Sequence, residues 1–151
     1  MSIETPRLPA TRDEIAALVP HQMAMCLLEF VKEWTEDAIL CGTRSHAFPD
    51  NPLRYHGRLA ALHLCEYGAQ AMAVHGGLSS IRAGMIARPG LLAALRNVEL
   101  AVDSVDPSGT LEVRARRVHG GADGWQYDFA VDRDGRRLAA GRATVIVPRT
   151  A

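Results

Sequence analysis

GRLAALHLCEYGAQAMAVHGG, residues Gly57 to Gly77, decides how this chain is read. Its Ala, Leu and Met content, with no proline and no β-branched cluster, predicts one long helix. Leu59, Leu62, Ala69 and Ala73 share one face, and Ala60, Leu64, Ala71 and Met72 cover most of the rest. A helix apolar nearly all round is a buried one. His63, Glu66 and Gln70 fall at i, i+3 and i+7 and form a narrow polar arc. Glu66 is the single carboxylate in that apolar helix. An ionised carboxylate is too costly to bury alone, so it needs a partner, a raised pKa or a wet pocket. A structurally satisfied acid and a catalytic one both meet that requirement.

Around this helix the chain offers a single domain. Its 151 residues are 48% hydrophobic and 23% charged, and formal net charge is zero, so neither nucleic acid nor an anionic membrane has electrostatic support. Cys26, Cys41 and Cys65 stand singly within apolar runs, which argues against disulfides or a zinc ribbon and for free thiols in a reducing, cytoplasmic setting. No signal peptide and no membrane-spanning run is expected. His-x-x-x-His metal spacing, phosphate loops and Gly-x-Ser-x-Gly elbows are missing, so no metal or other cofactor is implied.

In chain order, residues 1–10 read as a loose arm. Thr11 and Glu14 form a capping box before a short helix that ends ahead of Pro20. Met25–Trp34 and Ala38–Arg44 read as a hairpin, and Ser45–His56, with Phe48-Pro-Asp-Asn-Pro52, as a shaped loop. After the helix come a Gly-rich apolar stretch from Leu78 to Pro89 and four strand candidates. These are Leu91–Val102 (whose Leu92–Leu95 also suits a helix), Thr110–His119, Trp125–Val131 and Arg137–Val147. Trp125, Tyr127, Phe129 and Val131 alternate as one packed sheet face. The methionines Met23, Met25, Met72 and Met85 are expected to fill gaps in the core. His75 and His119 are expected at the surface, and His21 in a turn. Two strands, a buried helix and four antiparallel strands predict an α+β domain in which one curved sheet wraps the helix. The helix face left uncovered calls for a second subunit, so a symmetric dimer is expected.

Five segments carry a family resemblance. Leu18-Val-Pro-His-Gln22, followed by Met25-Cys-Leu-Leu-Glu29, resembles the entry of the bacterial β-hydroxyacyl-ACP dehydratases. Glu66-Tyr-Gly-Ala-Gln-Ala71 resembles their glutamate-bearing helix. Gly57-Arg-Leu-Ala-Ala61 and Gly141-Arg-Ala143 resemble the 3-hydroxyacyl-ACP dehydratases of aryl-polyene-type pathways. The resemblance implies the hotdog fold and a lyase that reversibly removes water from a 3-hydroxyacyl chain held on acyl carrier protein or CoA. Such chemistry needs a base for the C2 proton, an acid for the leaving hydroxyl, and dipoles for the thioester oxygen.

The resemblance assigns the helix-acid role to Glu66 and pairs it with a histidine across a dimer interface. His46 qualifies by its His-Ala-Phe-Pro49 string and His56 by its place at the mouth of the helix. The N–H groups of Gly57, Arg58 and Leu59 are expected at the helix dipole end. Asn51, His63 and Gln70 complete the expected substrate-binding set, although His63 also suits a structural partner of Glu66. Fourteen residues before Glu66, where the fatty-acid dehydratases carry their histidine, this chain has Pro52 preceded by Asn51. That departure keeps two other readings open: a hotdog thioesterase using Glu66 and Asn51, and a non-catalytic acyl-binding subunit.

Overall fold

The computed structural model describes residues 7–19, 25–86, 90–121 and 123–147. Six antiparallel strands form one sheet in the order β1-β2-β4-β5-β6-β3. In sequence they are β1 (Phe30–Trp34), β2 (Ala38–Thr43), β3 (Leu91–Leu100), β4 (Leu111–Gly121), β5 (Gly124–Arg133) and β6 (Arg136–Ile146). A short helix α1 (Arg12–Ala16) precedes them, and a long helix α2 (Leu64–Arg82) lies between β2 and β3. α2 packs on β2, β4, β5 and β6, so the sheet curls about it.

Alternation settles which face of the sheet is inside. Val113 and Ala115 of β4, Tyr127, Phe129 and Val131 of β5, and Ala139 and Ala143 of β6 are buried in one cluster with Leu64, Ala71, Val74 and Leu78 of α2. Gly68 lets the helix sit close to the sheet, since a Cβ there would lie 2.6 Å from Phe129 Cδ2. The β5–β6 hairpin turns on Asp134 and Gly135, with φ of 52° and 75°. Two consecutive positive φ values match the right-handed twist of the strands they join.

The helix differs from its sequence reading at both ends. Its first turn is a 3₁₀ turn, Ala61–His63, and α2 itself starts at Leu64. Residues 55–60 are diverted beforehand. Tyr55 and Arg58 exchange backbone bonds across a two-residue turn, in which His56 and Gly57 have φ of 49° and 70°. Leu59 O then accepts from Val105 N, and Ala61 N donates to Asp103 O, at 2.8 and 2.9 Å. Gly57, Arg58 and Leu59 therefore do not form the dipole end, which lies at Ala61–Leu64. At the other end Gly76 and Gly77 are interior, and the helix runs on to Arg82. Gly84 (φ 70°) stops it: Gly84 N donates to Ile81 O and Met85 N to Ser80 O, at 3.0 and 2.8 Å. These are the two bonds of a Schellman cap.

Smaller corrections follow the same logic. Leu91–Leu100 is wholly strand, its Leu92–Leu95 paired to β6. The first hairpin is shorter than its apolar run, because Met25–Leu28 is bonded to α2 and to residues 43–45 rather than into β1. Thr11 Oγ1 caps α1 by accepting from Glu14 N, and Glu14 in turn accepts from Ala10 N. In the expected loose arm, Pro9 O accepts from Val31 N at 2.8 Å. His75 is buried, not at the surface, bridging Tyr127 Oη (2.8 Å) and Thr35 O (3.0 Å). Met85 is exposed rather than core. His21 and Met23 lie outside the described residues. Among the described residues no helix is long and apolar enough to cross a membrane.

Candidate active site

The first turns of α2 bring two of the predicted polar residues, Glu66 and Gln70, together. Glu66 is half-buried in the first turn, where the helix dipole favours a carboxylate. Gln70, one turn on and almost fully buried, spends its amide on three bonds. Its Nε2 donates to Met25 O (2.6 Å) and to Glu66 Oε1 (3.3 Å), and its Oε1 accepts from Leu27 N (2.8 Å). Gln70 thus ties the Met25–Leu27 backbone to the helix and orients the carboxylate.

A second network fixes the loop that follows β2. Tyr67 Oη meets Ser45 Oγ at 2.9 Å and accepts from Asn51 Nδ2 at 3.1 Å. Asn51 Nδ2 also donates to Ser45 O, Asn51 Oδ1 accepts from Leu53 N, and Ser45 Oγ donates to Leu27 O. Both amide hydrogens of Asn51 are therefore spent within the chain, where they hold the loop. Burial pushes the Tyr67 hydroxyl pKa up and keeps it neutral, as a network of neutral donors requires. Sequence reasoning missed Tyr67 and Ser45. The only signal for Tyr67 was its place beside Glu66 in the quoted motif, and nothing marked Ser45.

The histidines separate sharply. His46 is fully buried, with Nε2 3.0 Å from Ser108 O. A carbonyl only accepts, so the proton sits on Nε2, and Nδ1 is a buried lone pair without a partner. Desolvation lowers the His46 pKa, and Arg133 and Arg54 add to this against the opposing bond to Ser108. Arg54 closes the loop from below, donating to His46 O and Gly57 O at 3.0 and 2.9 Å. His56, by contrast, is exposed at the tip of the Tyr55–Arg58 turn, with the Tyr55 ring edge-on at 4.2 Å. His63 is half-buried at the start of α2. With Leu53, Tyr55, Arg58 and Ala60 it lines an apolar cleft of about 200 Å³. Cys65, next to Glu66, is a buried thiol whose pKa burial raises.

One stripe of α2 is not covered by the sheet. Leu62 is exposed, and Glu66, Ala69, Ala73, Gly76 and Ser80 are half-buried along it. Apart from Glu66 at its head, the helical part of this stripe is made of small residues, which permit close approach of another surface. A Cβ on Gly76 would meet nothing within 4 Å.

The class follows from the fold. The chain is similar to the dehydratase heterocomplex ApeI:P from Xenorhabdus doucetiae, with a TM-score of 0.82, 20% identity and coverage of 90% of this chain and 91% of that one. It is similar also to the E. coli PaaI protein of the phenylacetic acid degradation operon (TM-score 0.61, 15% identity, 89% and 88% coverage). A third likeness is a hypothetical thioesterase with coenzyme A from Streptococcus pneumoniae TIGR4 (TM-score 0.59, 13% identity, 78% and 84% coverage). The architecture is thus the hotdog fold, one sheet curled about one long helix. A search of curated proteins returns no match.

Within that class, a family model describing the ApeP dehydratase matches residues 13–151, and the chain belongs to this ApeP-like dehydratase family. It is a dehydratase of 3-hydroxyacyl chains, a lyase.

Proposed function

We propose that Glu66 is the catalytic carboxylate for dehydration of a 3-hydroxyacyl thioester carried on acyl carrier protein, and that the site is completed by a second subunit packed on the open stripe of α2. The observation that carries this reading is the position of Glu66 at the head of that stripe, on a helix otherwise enclosed by the sheet. A carboxylate there is anchored by Gln70 yet stays accessible from the uncovered side. The edge strand β3 is a second uncovered surface. β3 pairs only with β6, and it exposes Leu91, Leu92, Leu95 and Leu100. A ten-residue edge strand with four exposed leucines is a template for a further strand.

In the reaction the C2–H bond and the C3–O bond both break, and the C2–C3 double bond forms as the hydroxyl leaves with a proton as water. Glu66 and a histidine share the two proton transfers, and the positive end of the α2 dipole favours the charge that builds on the thioester oxygen. His56 is exposed on the turn that precedes α2, and we assign it to the site of the subunit packed against it. His46 is sealed and serves the loop through its bond to Ser108. Turnover of a short 3-hydroxyacyl-ACP by Glu66→Gln and His56→Ala, alone and mixed, tests the assignment. Each variant alone is expected to be inactive. Random exchange between two such subunits rebuilds one intact site in half the dimers, so about a quarter of wild-type activity returns. Inactive single variants with no recovery on mixing place the pair within one chain and refute the shared site. Full activity of Glu66→Gln refutes the carboxylate's role.

A second reading concerns only the identity of the partner. The ApeI:P structure is a heterocomplex, which supports a different hotdog chain in place of a second copy. A pure chain that is inactive until such a partner is added, with Glu66→Gln still abolishing turnover, selects that reading.

A further inference from the structure

The turn that carries His56, from Tyr55 to Arg58, is exposed along its whole length, and little in the turn itself keeps its shape. Its own pairing is a single bridge between Tyr55 and Arg58, and a two-stranded pairing of that size is marginal in water. Tyr55 is 76% exposed, so its ring adds little buried area. His56 has φ of 49°, a left-handed conformation that a side chain disfavours. A side chain from the preceding loop reaches across to it. Arg54 sets its two terminal nitrogens on two backbone carbonyls, Nη1 on His46 O at 3.0 Å and Nη2 on Gly57 O at 2.9 Å.

We propose that Arg54 is a positioning residue for the dehydration: its guanidinium fork fixes this turn, and with it the direction in which His56 is presented to the neighbouring subunit. The inference rests on the reading that His56 serves that subunit's site. One anchor of the fork is held firmly. His46 is fully buried and its Nε2 donates to Ser108 O, which Arg133 Nη1 also reaches at 3.3 Å. The stem of the arginine is held as well, because Arg54 N donates at 3.1 Å to the carbonyl of Asn51, whose side chain is bonded to Tyr67. The other anchor, Gly57 O, belongs to the residue next to His56. Arg54 thus joins the buried part of the loop to its exposed tip.

The arrangement needs a fork. Both bonds are charge-assisted, the stronger kind. A lysine ammonium is a point charge on a flexible stem and does not pin two carbonyls in a fixed relation. Arg54 acts through His56 rather than on the substrate. A histidine that transfers a proton must lie within hydrogen-bond reach of it, and a misplacement of about 1 Å can cost about a hundredfold in rate. Loosening the turn therefore lowers kcat while binding of the acyl chain stays nearly as before.

Hydrogen exchange and turnover of a short 3-hydroxyacyl-ACP, measured on wild type, Arg54→Ala and Arg54→Lys in the active assembly, test this. The amides of Tyr55 and Arg58 bond to each other's carbonyls across the turn. In Arg54→Ala they are expected to lose at least about tenfold in protection, the value of one charged hydrogen bond, while amides of β5 keep theirs. In the same variant kcat is expected to fall about 10–100-fold with KM within about twofold. Arg54→Lys keeps the charge and is expected to stay closer to Arg54→Ala than to wild type in both readouts. Unchanged protection of the turn in Arg54→Ala overturns the clamp, and full recovery by lysine overturns the fork. A lower melting temperature with unchanged kcat per folded molecule marks a merely structural arginine and overturns the positioning role. Full activity of His56→Ala overturns the assignment of His56 and the positioning role with it, an outcome told apart from failure of the clamp because the turn of Arg54→Ala still loses its protection.

Discussion

Gln70→Leu is the substitution with the largest consequence that the structure allows to be worked through. The side chain keeps its approximate volume but loses all three hydrogen bonds. Leu27 N–H and Met25 C=O lose partners they held at 2.8 and 2.6 Å, and each buried orphan costs about 1–3 kcal/mol. Better burial of the leucine offsets part of this, which leaves a loss of about 3 kcal/mol. Against a total stability of about 5–15 kcal/mol that is a large fraction. For a chain of this size it lowers the melting temperature by roughly 6–12 °C. Urea denaturation followed by circular dichroism measures it, with a fall in midpoint at unchanged slope. On the proposed function, the folded variant also loses kcat more than KM, because Glu66 loses an orienting donor. Gln70→Glu separates the two effects: it keeps the shape but sets a second carboxylate beside Glu66. A loss below about 1 kcal/mol for Gln70→Leu would refute the claim that this amide holds the entry segment to the helix.

Four other expectations can be checked with the same preparations. Gly68→Ala improves helix propensity by about 1 kcal/mol but drives a Cβ to 2.6 Å from Phe129, so overpacking of about 1–3 kcal/mol prevails and thermal stability falls. Gly76→Ala, which meets nothing within 4 Å, gains about 0.5–1 kcal/mol in the same thermal scan. Ala73→Arg puts a long cation on the uncovered stripe; sedimentation velocity should show loss of self-association with the fold retained, and an unchanged assembly would remove the stripe from the interface. Burial lowers the pKa of both His46 and His75, so the unfolded state binds protons before the native state does. The stability gained by keeping both imidazoles neutral is complete above their ordinary value of about 6.5 and is lost as pH falls through and below it. His46→Gln and His75→Gln each preserve an Nε2 donor and should flatten the dependence of unfolding free energy on pH between 7.5 and 5.5; an unaltered slope in both would contradict the assignment.

The sequence by itself determined the layers of this protein. Alternation at Trp125, Tyr127, Phe129 and Val131 marks a strand with one inner face, and an apolar run around a lone carboxylate marks a buried helix carrying Glu66. Both are local patterns with fixed periods, and the family motif rests on the same residues. Tertiary structure decided where those patterns stop. Leu59 and Ala60 suit a helix, yet Leu59 O is taken by Val105 N, Ala61 N by Asp103 O, and Ala60 is bridged to Ser104, residues more than 40 positions away that no local period encodes. His75 reads as a surface residue because nothing nearby marks Tyr127 and Thr35 as its partners. Asn51 reads as a ligand group until Tyr67 and Ser45 claim its amide. Likewise His46 carries the better motif and His56 the better access, since motif is a property of neighbours in sequence and access a property of neighbours in space. Side-chain chemistry is written locally, but its availability depends on which distant polar groups reach it first.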